Sequence, residues 1–205
     1  MWPCGCSLHL GTATPFHGSL TRGLRAVSVR RRHPVEPSLP SPYNPAMQLR
    51  VLGPVDLHDN NEPIALPGTR LPRLLATLAA ANGRTVAVGA LADAIWGGAA
   101  PPTAAGAIQV AVSQARRLIA QGSEPGPSIV TETGGYRLVA TAEQLDLLAF
   151  HDVLDKARRC AHEQRHHDRA DHLQRALALW RGEPFGALDD AGTVAAEGRR
   201  LHELR

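Results

Sequence analysis

Residues 101–120 read PPTAAGAIQVAVSQARRLIA, and the fold turns on this stretch. Ile108, Val112, Ala115 and Ile119 recur at intervals of three and four, the period of one helix face. The spacing predicts a helix over 103–121 with that stripe buried. The opposite side carries Gln109, Ser113, Arg116 and Arg117, with Gln114 nearby. Such side chains can read a major groove: Gln pairs bidentately with adenine, Arg with guanine, and Ser reaches bases or phosphates. Alone, the pattern describes a solvated face equally well, so the flanking sequence has to decide.

Downstream, IVTETGGYRLVA (129–140) places two strand-like runs, 129–131 and 136–139, around Thr133, Gly134 and Gly135. The turn glycines make it a hairpin. Upstream, QLRVLGPVDL (48–57) alternates around Gly53 and Pro54, and IAL (64–66) follows a turn at 60–63; both read as short antiparallel strands. GTRLPRLLATLAAANG (68–83) then places Leu71, Leu74, Leu75 and Leu78 on one helical stripe. Thr69 is positioned to cap it, Pro72 falls in the first turn, and Asn82 and Gly83 stop it. A shorter helix over 89–96 turns Leu91, Ile95 and Trp96 inward. Strands, three helices and a glycine hairpin, in that order, describe a winged helix whose third helix is 103–121. The hairpin is then the wing, and Arg137 on it is within reach of a phosphate.

The quoted segments, with LADAIWG (91–97) and AIQVAVSQARRL (107–118) the most specific, resemble the OmpR-type winged-helix domain of the Streptomyces antibiotic regulatory protein (SARP) family. The resemblance implies that the third helix reads DNA. The DNA-facing set is then Gln109, Ser113, Gln114, Arg116 and Arg117, with Arg137 on the wing and Arg70 and Thr103 at the heads of the first and third helices. Three positions depart from the family pattern. Gln114 and Ala115 stand where Arg-Leu is common, Pro72 where a basic residue is usual, and Ala87 where a Ser or Thr often caps the second helix.

Beyond residue 140 the pattern is helical throughout. LDLLAFHDVLDKARRCAH (145–162) aligns Phe150, Leu154, Ala157 and Ala161; DRADHLQRALALWRG (168–182) aligns Ala170, Leu173, Leu177 and Trp180. Asp168 reads as the second helix's N-cap and Gly182 as its stop. The short gap predicts an antiparallel helix hairpin, and a third helix begins near Thr193. This part, ALALWRGEPF (176–185) above all, resembles the family's bacterial transcriptional activation domain, a tetratricopeptide-like array. Such arrays bury their faces only by stacking. A truncated copy is therefore expected to leave its last helix with an uncovered face and a loosely ordered C-terminus.

The domain reading is thus a tail over 1–46, a winged helix over 47–140 and a partial activation domain over 141–205. The tail holds seven prolines and no apolar period, so it reads as unstructured, with Met47 an alternative start. Arg30, Arg31 and Arg32 form a basic patch there, and no secretory apolar run precedes it. The net charge of +3 is unevenly spread. The tail has five Arg against one acid, residues 47–140 seven against six, and 141–205 ten basic groups against twelve acids. Bulk charge does not announce a nucleic-acid binder, so a DNA face has to come from local arrangement. Cys4, Cys6 and Cys160 form no disulfide framework, which suits a cytoplasmic protein, and no run is apolar enough to span a membrane.

One motif points elsewhere. His162 to His166 reads HEQRH, the H-E-x-x-H of zinc proteases when it lies on one helix. Here it falls between two helices, among charged residues, with only Glu183 as a distant third ligand, so it reads as a solvated turn. No phosphate-loop pattern follows Gly134 and Gly135, and no cofactor is expected. Trp96 and Trp180 read as core anchors and Cys160 as a small buried hydrophobe. Asp152, Asp155, Asp189 and Asp190 read as solvated acids or caps. The sequence reading is therefore a cytoplasmic transcriptional activator and not an enzyme. Its expected partners are double-stranded DNA at direct repeats, RNA polymerase and a second protomer, without a membrane. The alternative is a protein-interaction module in which the helix pairs act and the winged helix is inert.

Overall fold

The computed structural model describes residues 47–123, 125–188 and 192–205. The expectations for 1–46, including the Arg30–32 patch and Cys4 and Cys6, and those for Asp189 and Asp190, lie outside the described residues.

Strands β1 (Met47–Arg50), β2 (Asp56–Asp59) and β3 (Glu62–Ile64) form an antiparallel sheet in that order. Asn60 and Asn61, at φ 47° and 69°, make the two-residue turn that right-handed strand twist favours. Because this turn reverses the chain at once, Asp59 faces Glu62 and Leu57 faces Ile64. The third strand therefore starts two residues before the predicted 64–66. Its Pro63 lies on the sheet edge, where a missing N–H costs no ladder bond.

Three helices follow, α1 (Arg70–Ala80), α2 (Val88–Trp96) and α3 (Ala104–Ala120). All four leucines of the α1 stripe are buried, and Asn82 and Gly83 take the left-handed conformation that ends the helix. Thr69 does occupy the N-cap position, but its hydroxyl makes no capping bond, contrary to the sequence expectation. Ile108, Val112 and Ala115 of α3 are buried, and Ile119 packs against the core at its edge.

The wing is β5 (Ser128–Glu132) and β6 (Gly135–Val139), joined by Thr133 and Gly134 alone. Gly135 belongs to the strand, not the turn. A third strand that the sequence reading missed, β4 (Val86–Ala87), pairs with β6 and gives the order β4-β6-β5. A Cβ on Gly135 would sit 2.1 Å from the Val86 carbonyl oxygen, so only glycine permits this approach. The pairing also gives the head of α2 a backbone partner: its first N–H, from Val88, donates to the Gly134 carbonyl at 3.1 Å, while Ala87 at the N-cap position offers no side-chain acceptor. A wing carbonyl thus satisfies one of the donors a helix start leaves free.

The helical segment consists of α4 (Asp146–His162), α5 (His166–Ala178) and α6 (Gly192–Leu204), with a 3₁₀ turn over Gly186–Leu188. Helices α4 and α5 pack as the expected hairpin, but the details of α5 differ. Its cap position falls three residues early, at Arg165; Asp168 lies in the first turn and accepts from Arg165 at 2.8 Å. It ends at Ala178, four residues before Gly182. Beyond it the backbone pairs with the start of the chain: Arg181 N–H donates to the Leu52 carbonyl and Phe185 N–H to the Val51 carbonyl, both at 2.7 Å.

The predicted α5 stripe is also misplaced. Ala170, Leu173 and Leu177 face solvent, the last two 37% and 49% exposed, and Ala176 is the residue buried. Trp180, beyond the helix end, is half-buried with its ring edge-on to Phe150 at 5.5 Å. The uncovered face therefore belongs to α5 and not to the last helix, since α6 buries Val194 and Leu201 and packs on α1.

One contiguous core joins the two halves of the sequence. Asp146, the first residue of α4, is buried, and its carboxylate accepts the N–H of Val51 and of Leu52 at 2.8–2.9 Å. Arg181 lies 3.6 Å from the same carboxylate. Leu49 N–H donates to the Gln144 carbonyl beside it. The strand that opens the winged helix is thus pinned to the helix that opens the helical segment.

Candidate nucleic-acid interface

Helix α3 has one face in the core and one in solvent. Gln109, Val110, Ser113, Gln114 and Arg117 are exposed on the outer face, and α3 contains no acidic residue. The outer face is flanked by the start of α1. Gly68, Thr69, Arg70 and Leu71 line one wall of a cleft of about 340 Å³, with Ala107, Val110 and Gln114 opposite. On the other side lies β5 of the wing, which contacts α3.

The structure separates the candidate residues by what else they do. Gln109, Gln114 and Arg117 present exposed side chains. The Ser113 hydroxyl donates to the Gln109 carbonyl one turn back at 2.8 Å, which leaves its oxygen lone pairs but not its proton for a ligand. Arg116 is half-buried. Its Nε donates to the Ile129 carbonyl and its Nη2 to the Thr131 hydroxyl, both at 2.8 Å, so it ties α3 to β5. Arg137 donates from Nε to Glu132 at 2.6 Å across the hairpin. The Thr85 hydroxyl and Arg137 together hold the Glu132 carboxyl below its usual range. Arg70 is exposed, with its guanidinium 5.4 Å from the centre of the Trp96 ring, a stacking that orients it. Thr103 occupies the α3 N-cap position, exposed and without a capping bond.

The sequence reading missed Val110. The signal was available, since Val110 falls off the Ile108 stripe and so cannot be core. It also missed the structural duty of Arg116, for which no local pattern gives notice, because its partners lie on a strand of another element.

The HEQRH stretch forms no site. His162 ends α4, Gln164 takes φ 57° in the turn, and His166 starts α5. Glu163 accepts from Arg165. Among the described residues no group of three or more His, Cys, Asp or Glu could hold a metal. Cys160 is buried, as expected of a small hydrophobe.

Two protein families match the chain. Residues 61–138 match the C-terminal domain of transcriptional regulatory proteins, and residues 145–205 match the bacterial transcriptional activator domain. The succession is that of the Streptomyces antibiotic regulatory proteins. The chain belongs to the SARP family. Regulatory protein AfsR of Streptomyces coelicolor is 35% identical over 162 residues, which are 78% of this chain and 16% of AfsR. Regulatory protein DnrI of Streptomyces peucetius is 31% identical over 166 residues, 78% of this chain and 61% of DnrI. The SARP chain thus spans less than two thirds of either relative. Among solved structures, Mycobacterium tuberculosis EmbR in complex with a low-affinity phosphopeptide superimposes with a TM-score of 0.67 at 26% identity, over 77% of this chain and 42% of EmbR. Of the SARP chain's departures noted above, Ala87 leaves α2 without a side-chain cap, and the Gly134 carbonyl accepts the helix's first N–H. Gln114 puts a neutral amide on the exposed face.

Proposed function

We propose that this chain is a sequence-specific DNA-binding transcriptional activator of secondary-metabolite genes, acting in the cytoplasm. The observation that carries the reading is the outer face of α3: exposed, free of acidic side chains, and rich in groups that hydrogen-bond base edges. Helix α3 lies in the major groove, with Gln109, Gln114 and Ser113 toward bases. Arg117, Arg137, Arg70 and Thr103 contact phosphates, which fix register without reading sequence. Arg116 acts through the wing it holds. The helical segment contacts RNA polymerase and a second protomer, so that two copies occupy direct repeats. The SARP relatives and the two matched domains support this reading over a pure protein-interaction module.

The test is a fluorescence-anisotropy titration of the full chain on a pool of random duplexes at two salt concentrations. Three arginines, each neutralising one phosphate, give a log–log slope of about −2.7 and so roughly a 40-fold loss between about 50 and 200 mM salt. Binding indifferent to salt, or no binding at either concentration, contradicts the proposal.

A further inference from the structure

Val110 has no structural reason to be valine. It is 68% exposed, the most exposed large hydrophobic among the described residues. It sits in the middle of a seventeen-residue helix, where a β-branched side chain is a poor helix former. The stripe that holds α3 in the core is complete without it. Its surroundings are those of a reading surface: Gln109 precedes it, Ser113 and Gln114 follow on the same face one turn later, and Ala107, Ala111 and Gln114 line the same cleft.

We infer that Val110 reads the C5-methyl group of a thymine. The inference rests on the proposed docking of α3 in the major groove and adds a specificity-determining residue to it. In that groove an A·T pair differs from every other pair by an adenine donor–acceptor edge and a thymine methyl. The exposed face supplies a matched pair of probes. Gln109 and Gln114 carry amides that satisfy the adenine edge bidentately, and Val110, beside both, presents two methyl groups where the partner thymine projects its own. The groups suited to guanine are fewer. Arg116 is already bonded to Ile129 and Thr131, which leaves Arg117 against two exposed glutamines on this face. The central positions read by this helix are therefore A·T pairs, recognised jointly by amide and methyl.

The experiment starts from duplexes enriched by the full chain from a random pool. In the consensus so obtained, each thymine is replaced singly by deoxyuridine, which removes only the methyl. Wild-type protein loses about 4- to 10-fold in affinity at one central position, the range expected for one desolvated methyl contact. Val110→Ala binds the thymine duplex more weakly by a similar factor and is indifferent to uracil there. Val110→Thr, which keeps one methyl, falls between. Val110→Ala does not lower the Tm, since it trades an exposed poor helix former for a good one, and Val110→Thr leaves the Tm as in wild type. Loss at no position, or an undiminished uracil effect in Val110→Ala, overturns the inference while leaving the DNA reading intact. Failure to enrich any duplex overturns both.

Discussion

Helix α3 buries the stripe that its sequence advertises, whereas α5 turns its own stripe to solvent. Both are amphipathic on paper. The difference lies in their neighbours. Helix α3 is enclosed by α1, α2 and β5, so the only free side is the polar one, and the Ile108 stripe has one place to go. Helix α5 packs mainly on α4, which is satisfied by Ala176 and leaves Leu173 and Leu177 outward. Periodicity identifies an apolar face; it does not say whether the chain supplies a surface to cover it.

The comparison predicts its largest effect at Ile108. Ile108→Ala leaves a cavity between enclosed elements and lowers stability by about 4 kcal/mol in urea unfolding. A loss below about 1 kcal/mol would mean that α3 is no better enclosed than α5.

The next effect concerns how the α4–α5 hairpin is held. It is anchored at its base by Asp146. Burial raises the Asp146 carboxyl to about 6, outweighing the Leu52 and Val51 N–H bonds and the nearby Arg181, which lower it. The folded pKa lies above the unfolded value of 3.8, so the favourable contribution is fully present below about pH 4 and is lost as pH rises through about 6. Asp146→Asn removes the titration. The stability difference between wild type and this variant should therefore change by about 2 kcal/mol from pH 4 to pH 7, with wild type relatively favoured in acid. A pH-independent difference would show that the buried carboxylate does not titrate in this window.

The smallest stability effect is expected on the open face. Leu177→Ala should change stability by less than about 1 kcal/mol, since a half-exposed side chain leaves little cavity. A cost near that of Ile108→Ala would mean that α5 is covered in solution and that the contrast between the helices fails.

The same contrast explains what could be read from sequence. The α1 leucines, the α3 stripe, the existence of the wing hairpin and the helix hairpin were legible because each is a local pattern with a single structural solution. Strand β4 was not, since two residues carry no periodicity and exist as a strand only because Gly135 lets β6 approach Val86. The end of α5 was not, because Arg181 and Phe185 leave the helix for hydrogen bonds with Leu52 and Val51, more than a hundred residues earlier. On the candidate interface the exposed glutamines were legible from their offset to Ile108. The exposure of Val110 was legible by the same offset and went unread, whereas the commitment of Arg116 to the wing required the elements to be placed.

On the proposed reading, the outer face of α3 chooses the DNA sequence. The direct measurement is the ratio of affinities for the enriched duplex and a scrambled one, taken at fixed salt for wild type, Gln109→Ala, Gln114→Ala and Leu173→Ala. Each glutamine variant should lower the ratio by about 5- to 100-fold, the value of one bidentate base contact, with Tm unchanged, and Leu173→Ala should leave the ratio as it was. Undiminished ratios in both glutamine variants would contradict the assignment of this face to base recognition.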